Sequence, residues 1–141
     1  MKRLTVPTVS VPFLYLLLIS QFVLAADVYK FEPAVVYLTG ELIQKQFYGP
    51  PGYGEDPKTD RKENASILIL NHPIKVVAEI GDRFNETRDN VKVIQLINVK
   101  RIALSPFFQK NVKVTGKLSS AITGHHHTDI LIEIDDIQLQ K

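Results

Sequence analysis

Cysteine is absent from the chain, which excludes disulfides, thiolate metal sites, a thiol nucleophile and a lipid-modified cysteine. A surplus of charge is nearly absent as well. The chain carries 17 basic and 15 acidic residues, and two of the basic ones, Lys2 and Arg3, stand at its start. From Ala26 onward the charges balance at 15 of each sign, so the pI of about 8.8 partly reflects the first few residues. A protein that neutralises phosphates needs a basic excess, and nucleic acid is therefore not an expected partner. Phosphate-cradling glycine loops, zinc-protease helices and dinucleotide fingerprints are also missing. Ser119 and Ser120 lie near histidines but carry no mark of a nucleophile elbow, and Asp135-Asp136 would point to opposite faces of a strand. The expectation is a protein that is not an enzyme.

The chain does carry a basic start at Lys2-Arg3, an uncharged apolar run from Leu4 to Leu24, and small residues at Ala25 and Ala26. This is the layout of a secretory signal, with cleavage after Ala25, and Pro7 and Pro12 weaken the rival reading of an uncleaved membrane anchor. Residues 1–25 are expected to be a signal peptide and 26–141 one domain, periplasmic or secreted, that meets the membrane only through the signal before its removal. About 115 residues bury a sufficient single core without disulfides.

Beyond that point the chain reads as strands. Ala34 to about Phe47 is β-branched and aromatic with an internal Gly40; Tyr48 to Asn64 is a loop crowded with Gly, Pro and mixed charges. Ser66–Leu70 and Ile74–Glu79 form a second strand region broken at Asn71-His72-Pro73, with the later piece open to being an extra strand. Val91–Val99 is a third, with Val91 and Val93 expected inward. Ser105-Pro106-Phe107-Phe108 reads as a short helix with Ser105 as N-cap. Val112–Leu118 and Thr128–Asp135 supply two more strands, and Asp135-Asp136 breaks the alternation of Ile130, Ile132 and Ile134 as a bulge does, before Ile137 and Leu139. Val36-Tyr-Leu-Thr-Gly40 and Val112-Lys-Val-Thr-Gly116 share a frame, as expected where two strands of a small barrel bend hard on glycine. Three strands, a short helix and two strands give an all-β class with one short helix, on the plan of a five-stranded OB-fold-like barrel.

In such a barrel the ligand face crosses the second and third strands and is flanked by the loops joining strands one to two and four to five. Those loops hold the two least ordinary stretches of this chain, Tyr48–Asn64 and Thr123-Gly124-His125-His126-His127-Thr128. Candidate ligand-binding residues are Tyr48, Tyr53, His125, His126, His127 and Thr128. The tyrosines bracket Gly-Pro-Pro-Gly and suit either stacking on a ligand or holding the loop in place. Alternation puts His125, His127 and Asp129 on one strand edge, successive members about 7 Å apart, a set able to grip zinc or copper with His72, Glu55 or Asp56 completing the shell. The alternative is structural: imidazoles bonded within the loop, with His126 and Thr128 sealing the barrel rim. The charged run Asp56–Glu63 reads as a solvated loop.

With Gly-Pro-Pro-Gly-Tyr53, Leu68-Ile-Leu-Asn-His-Pro-Ile74, Val-Thr-Gly116-Lys-Leu and Gly-His-His-His-Thr128 in this order, the chain resembles a bacterial family of small exported domains of unknown function, over roughly Val35 to Ile137. The Gly-His-His-His-Thr run is the most specific element. The resemblance implies an OB-type barrel and no reaction, cofactor or site. Two functions stand as expectations: a non-enzymatic module binding a protein, peptide or glycan of the cell envelope, or a metal-binding accessory protein centred on His125 and His127.

Overall fold

The computed structural model describes residues 26–140; the expected signal peptide lies outside the described residues. The fold is nearly all β: β1 (Asp27–Lys30), β2 (Val35–Tyr48), β3 (Lys62–Val77), β4 (Arg88–Ile97), β5 (Lys110–Ser120) and β6 (Ile130–Leu139). Five of them close a ring, in the order β2–β3–β4–β6–β5 and back to β2, every contact antiparallel except β4–β6. This is the connectivity expected of the five-strand plan. The extra strand left open at Ile74–Glu79 is instead part of β3, and the sixth strand is Asp27–Lys30: β1 adds parallel to the far end of β3, Asp27 opposite Ile74.

The ring encloses an aliphatic core. Leu42, Leu68, Ile94, Val112, Val114, Leu118, Ile130, Ile132 and Ile134 are fully buried. Period-two alternation places these side chains inside and their neighbours outside. In β4 the inward residues are Ile94 and Leu96, not Val93, which is exposed; Val91 still packs on the core because register shifts between β3 and β4 change the parity there. The second strand region is one continuous strand and not two. Pro73 fits inside β3 because β2 has paired for the last time at Leu70, while on the β4 side the ladder skips from Ile69 to Ile74, so its missing N–H is not needed. The short helix is a single 3-10 turn, Ser105–Phe107, whose N-cap is Leu104 with no side-chain bond; Ser105 does not cap it. Phe107 and Phe108 pack against the core as expected.

The two matching glycines do the same work. A Cβ on Gly40 would lie 2.1 Å from the Ile69 carbonyl oxygen, and one on Gly116 would lie 2.1 Å from that of Glu133. Each marks a place where another strand's backbone crosses too closely for any side chain. At Gly40, β2 pairs with both neighbours at once, Leu70 on β3 and Val112 on β5. At Gly116 the β5–β6 ladder jumps from Asp136 to Ile134, leaving Asp135 as the extra residue of the bulge. Lys100 ties that residue down at 2.6 Å. The bulge returns Ile137 to the core, whereas Leu139 ends half exposed.

Overpacking of this kind costs about 1–3 kcal/mol. Gly116→Ala is therefore expected to lower the urea midpoint by a corresponding amount; a midpoint within experimental error of the parent protein's would show that the strands do not approach as closely as described.

Candidate functional site

The outer face of the ring carries a row that crosses three strands: Ile67 on β3 pairs with Gln95 on β4, which pairs with Leu131 on β6. These outward positions should be wet, yet they are only 3%, 7% and 2% exposed. The segment from Ala121 to Asp129 lies across them, fastened by the amide of Gln95. Its Nε2 donates to the carbonyl of His125 at 3.0 Å and its Oε1 accepts from the N–H of His127 at 2.6 Å. Thr128 completes the attachment, its hydroxyl accepting from the Gln95 N–H at 2.9 Å and donating to the Ile130 carbonyl at 2.7 Å. Part of the surface expected to receive a ligand is thus occupied by the protein's own histidine loop.

Glu63, at the start of β3, joins this loop to the proline-glycine segment. It accepts from His125 Nδ1 at 2.8 Å on Oε2 and from His127 Nε2 at 2.6 Å on Oε1. Burial alone would raise this carboxyl, but the two imidazole hydrogen bonds and the histidine charges hold it below its ordinary 4.5. Phe47 sits opposite Glu63 in the β2–β3 ladder, and its ring stacks parallel on His127 at 4.1 Å. The proton on His125 Nδ1 belongs to the carboxylate contact. In the neutral ring Nε2 then keeps its lone pair and accepts from the Tyr53 hydroxyl, 3.3 Å away. Phenol, imidazole and carboxylate so form one hydrogen-bonded line.

Asp60 shapes the other side of this junction. Although it belongs to the charged run read as solvated, it is buried and accepts backbone N–H bonds from Gly52 and Gly54, both at 2.7 Å, and from Asp56 at 3.3 Å. Desolvation opposes its ionisation, but these three bonds and the nearby Lys62 lower its carboxyl below the usual range. The turn they hold places Tyr53 in the left-handed region, φ 52°, with its ring pressed against Gly124, where an added Cβ would meet the ring at 2.8 Å. Tyr48 stays half-buried, with the Lys62 ammonium over its ring and Gly54 beside it, so it serves to hold the loop.

Each expected site residue can now be placed. The two loops do meet at one rim, and Tyr53, His125 and His127 converge there. His126 turns away and tightens its own loop, Nδ1 accepting from the N–H groups of Ile122 at 2.9 Å and Thr123 at 3.3 Å. Burial first, and then the neighbouring His125 and His127 charges, lower its pKa, which suits a lone pair that must stay free. Thr128 lies at the rim, bonded to the Gln95 N–H and the Ile130 carbonyl, whereas His126, expected to seal the rim beside it, bonds within its own loop. Asp129 does not join the histidines: it lies beside Arg83, Arg88 and Ser120. The alternation that placed it there fails because residues 124–129 form a turn and β6 begins only at Ile130. His72 lies with Tyr29 and Tyr37, and Asp56 accepts from the N–H of Lys58. Among the described residues, no group of three or more histidine or carboxylate side chains is arranged to hold a metal ion.

Glu63, Asp60 and Gln95 were missed. Gln95 had a visible signal, an amide set inside the apolar run Val93-Ile94 and Leu96-Ile97; the two carboxylates were hidden in a run of mixed charge.

The fold and rim therefore define a small ring-closed β domain whose β2–β3 and β5–β6 loops are locked together by side-chain hydrogen bonds. Residues 94–138 match the family described as Domain of unknown function (DUF4431), a stretch that contains Gln95, Gly116 and the three histidines but neither Glu63 nor Tyr53. The resemblance to a family of unknown function holds over this part of the chain. No curated protein and no solved structure matches.

Gln95→Leu keeps the size of the side chain but strands the His127 N–H and the His125 carbonyl; a loss of about 2 kcal/mol is expected, together with faster amide exchange at His127. Unchanged exchange at that amide would rule out the clamp. A second outcome concerns pH. Because the folded-state pKa of Glu63 lies below its ordinary value, its contribution is fully present above 4.5 and is lost as pH falls through the folded value. The stability difference between the parent protein and Glu63→Gln, followed by urea titration, should therefore shrink as acid is added below 4.5; a gap that is constant down to strongly acid pH would contradict the assignment.

Proposed function

We propose that the protein is an exported, non-enzymatic binding module that meets its partner at the rim formed by loops 49–61 and 123–128. The observation that carries this reading is the contrast between a locked base and open tips. His127 is held at 10% side-chain exposure by Phe47 and Glu63, while His125 is 59% exposed on the same carboxylate and the Tyr53 ring stands beside it. Preorganised aromatic and imidazole groups lose little freedom on binding and offer ring surfaces with hydrogen-bonding edges. A protein, peptide or glycan of the cell envelope fits such a surface. The exported part of this reading rests on the signal-like layout of residues 1–25, and no step of it needs a reaction.

Metal binding at His125 and His127 is the second reading, and it requires their hydrogen bonds to Glu63 to open, because the three side chains as they stand are not arranged around an ion. Zinc or copper would take the imidazole nitrogens that now bond to the carboxylate, with Glu63 in the place first expected for Asp129.

One set of titrations separates the two. Soluble peptidoglycan fragments and a peptide digest of envelope proteins are added to the isotope-labelled protein, with zinc and copper as separate arms. Amide shifts grouped at 49–54 and 123–128, lost in Tyr53→Ala, support the module. Sub-micromolar metal binding lost in the His125→Ala, His127→Ala double variant, without ligand shifts at the rim, overturns it in favour of the metal reading.

A further inference from the structure

On the other side of the histidine loop lies an open cleft of about 310 Å³, at the lower end of the size of small-molecule sites. Its floor is the outer face of β5 and β6, from Lys117 and Glu133 to Ser119 and Leu131, and its walls are the turns carrying Phe84 and Ile122. These two side chains are 79% and 75% exposed, so neither contributes to the core.

Exposed apolar groups on mobile loops are ordinary, but these are held. Asp82 Oδ1 accepts from the N–H groups of Phe84 at 2.9 Å and Asn85 at 3.0 Å, and Asn85 Oδ1 in turn accepts from the Ser120 N–H at 3.0 Å, tying one wall to the floor. The other wall is held by His126, which accepts from the Ile122 N–H. The backbone that carries two exposed apolar side chains is therefore held on both walls, the arrangement of a preformed contact and not of a solvated loop.

The polar end of the cleft has its own bias. Glu32, Lys117 and Glu133 line it, and among the described residues none of the three enters an ion pair. Lys117 opposes Glu133 across the β5–β6 ladder, which leaves the charge of Glu32 over. A carboxylate surplus at one end and a ring and a branched chain at the other select a positive head on an apolar body.

We propose that this cleft binds a primary ammonium group carried on an aromatic or branched aliphatic body, with the apolar part between Phe84 and Ile122 and the ammonium at Glu32. A free amine and the N-terminal residue of a peptide both present that chemistry. The cleft is separate from the rim at Tyr53, and neither reading requires the other.

The test uses amide shifts of the purified protein titrated with 2-phenylethylammonium, with its N-acetyl derivative, and with a Phe-Ala-Ala peptide bearing a free N-terminus. Shifts at Phe84, Ile122 and Ser119 are expected with the ammonium, weakened on the order of tenfold or more in Phe84→Ser and also weakened in Glu32→Gln. They should persist in Tyr53→Ala, which disables the rim alone. Tighter binding of the peptide than of the free amine assigns the ligand to a peptide N-terminus; the reverse assigns it to a small amine. Equal binding of the N-acetyl derivative, or no shifts in the cleft with any of the three, overturns the proposal.

Discussion

The structure of the rim depends on one buried amide. A loop laid over an apolar row brings backbone polar groups into a place that water cannot reach, and each must find a partner there. Gln95 supplies one acceptor and one donor from the middle of that row, and so lets His125 and His127 pass over Ile67 and Leu131 without unmet hydrogen bonds. With the backbone fixed, the imidazoles have defined directions. Glu63 can then receive both, Phe47 can stack on one, and Tyr53 can reach the other. Remove the amide and the remaining contacts lose their frame.

The ring was largely legible in the sequence because its signals are local. Alternation showed Ile130, Ile132 and Ile134 facing one way, the double aspartate announced the bulge, and two glycines in matching frames marked the close crossings at Ile69 and Glu133. Alternation misled where its premise failed. It put Val93 inside because a register shift cannot be seen from one strand, and it put Asp129 beside the histidines because the period of two does not hold in the turn before β6. Strand β1 was invisible for a further reason: four residues with mixed polarity become a strand only because the far end of β3 has an unpaired edge.

The site was legible as an encounter and not as a chemistry. Connectivity alone brought the proline-glycine segment and the triple histidine to one rim. What joins them there, Glu63 and Asp60, could not be separated from the solvated charges around them, because a carboxylate's partners are distant in the chain or belong to the backbone. The three histidines also divide their work in a way that no pattern predicts: His127 packs, His126 holds its own turn, and His125 faces outward.

The row beneath the loop has a consequence for the behaviour of the molecule at high concentration. Ile67 and Leu131 lie on a sheet face, next to one another through Gln95, and are dry only while the histidine segment stays down. A transient lifting of that segment would bare two aliphatic side chains on either side of an amide that has lost its partners, a surface on which copies of a chain can adhere. The polar latch therefore also guards solubility, and acid, which protonates the carboxylate holding the two imidazoles, is the condition under which that guard weakens first.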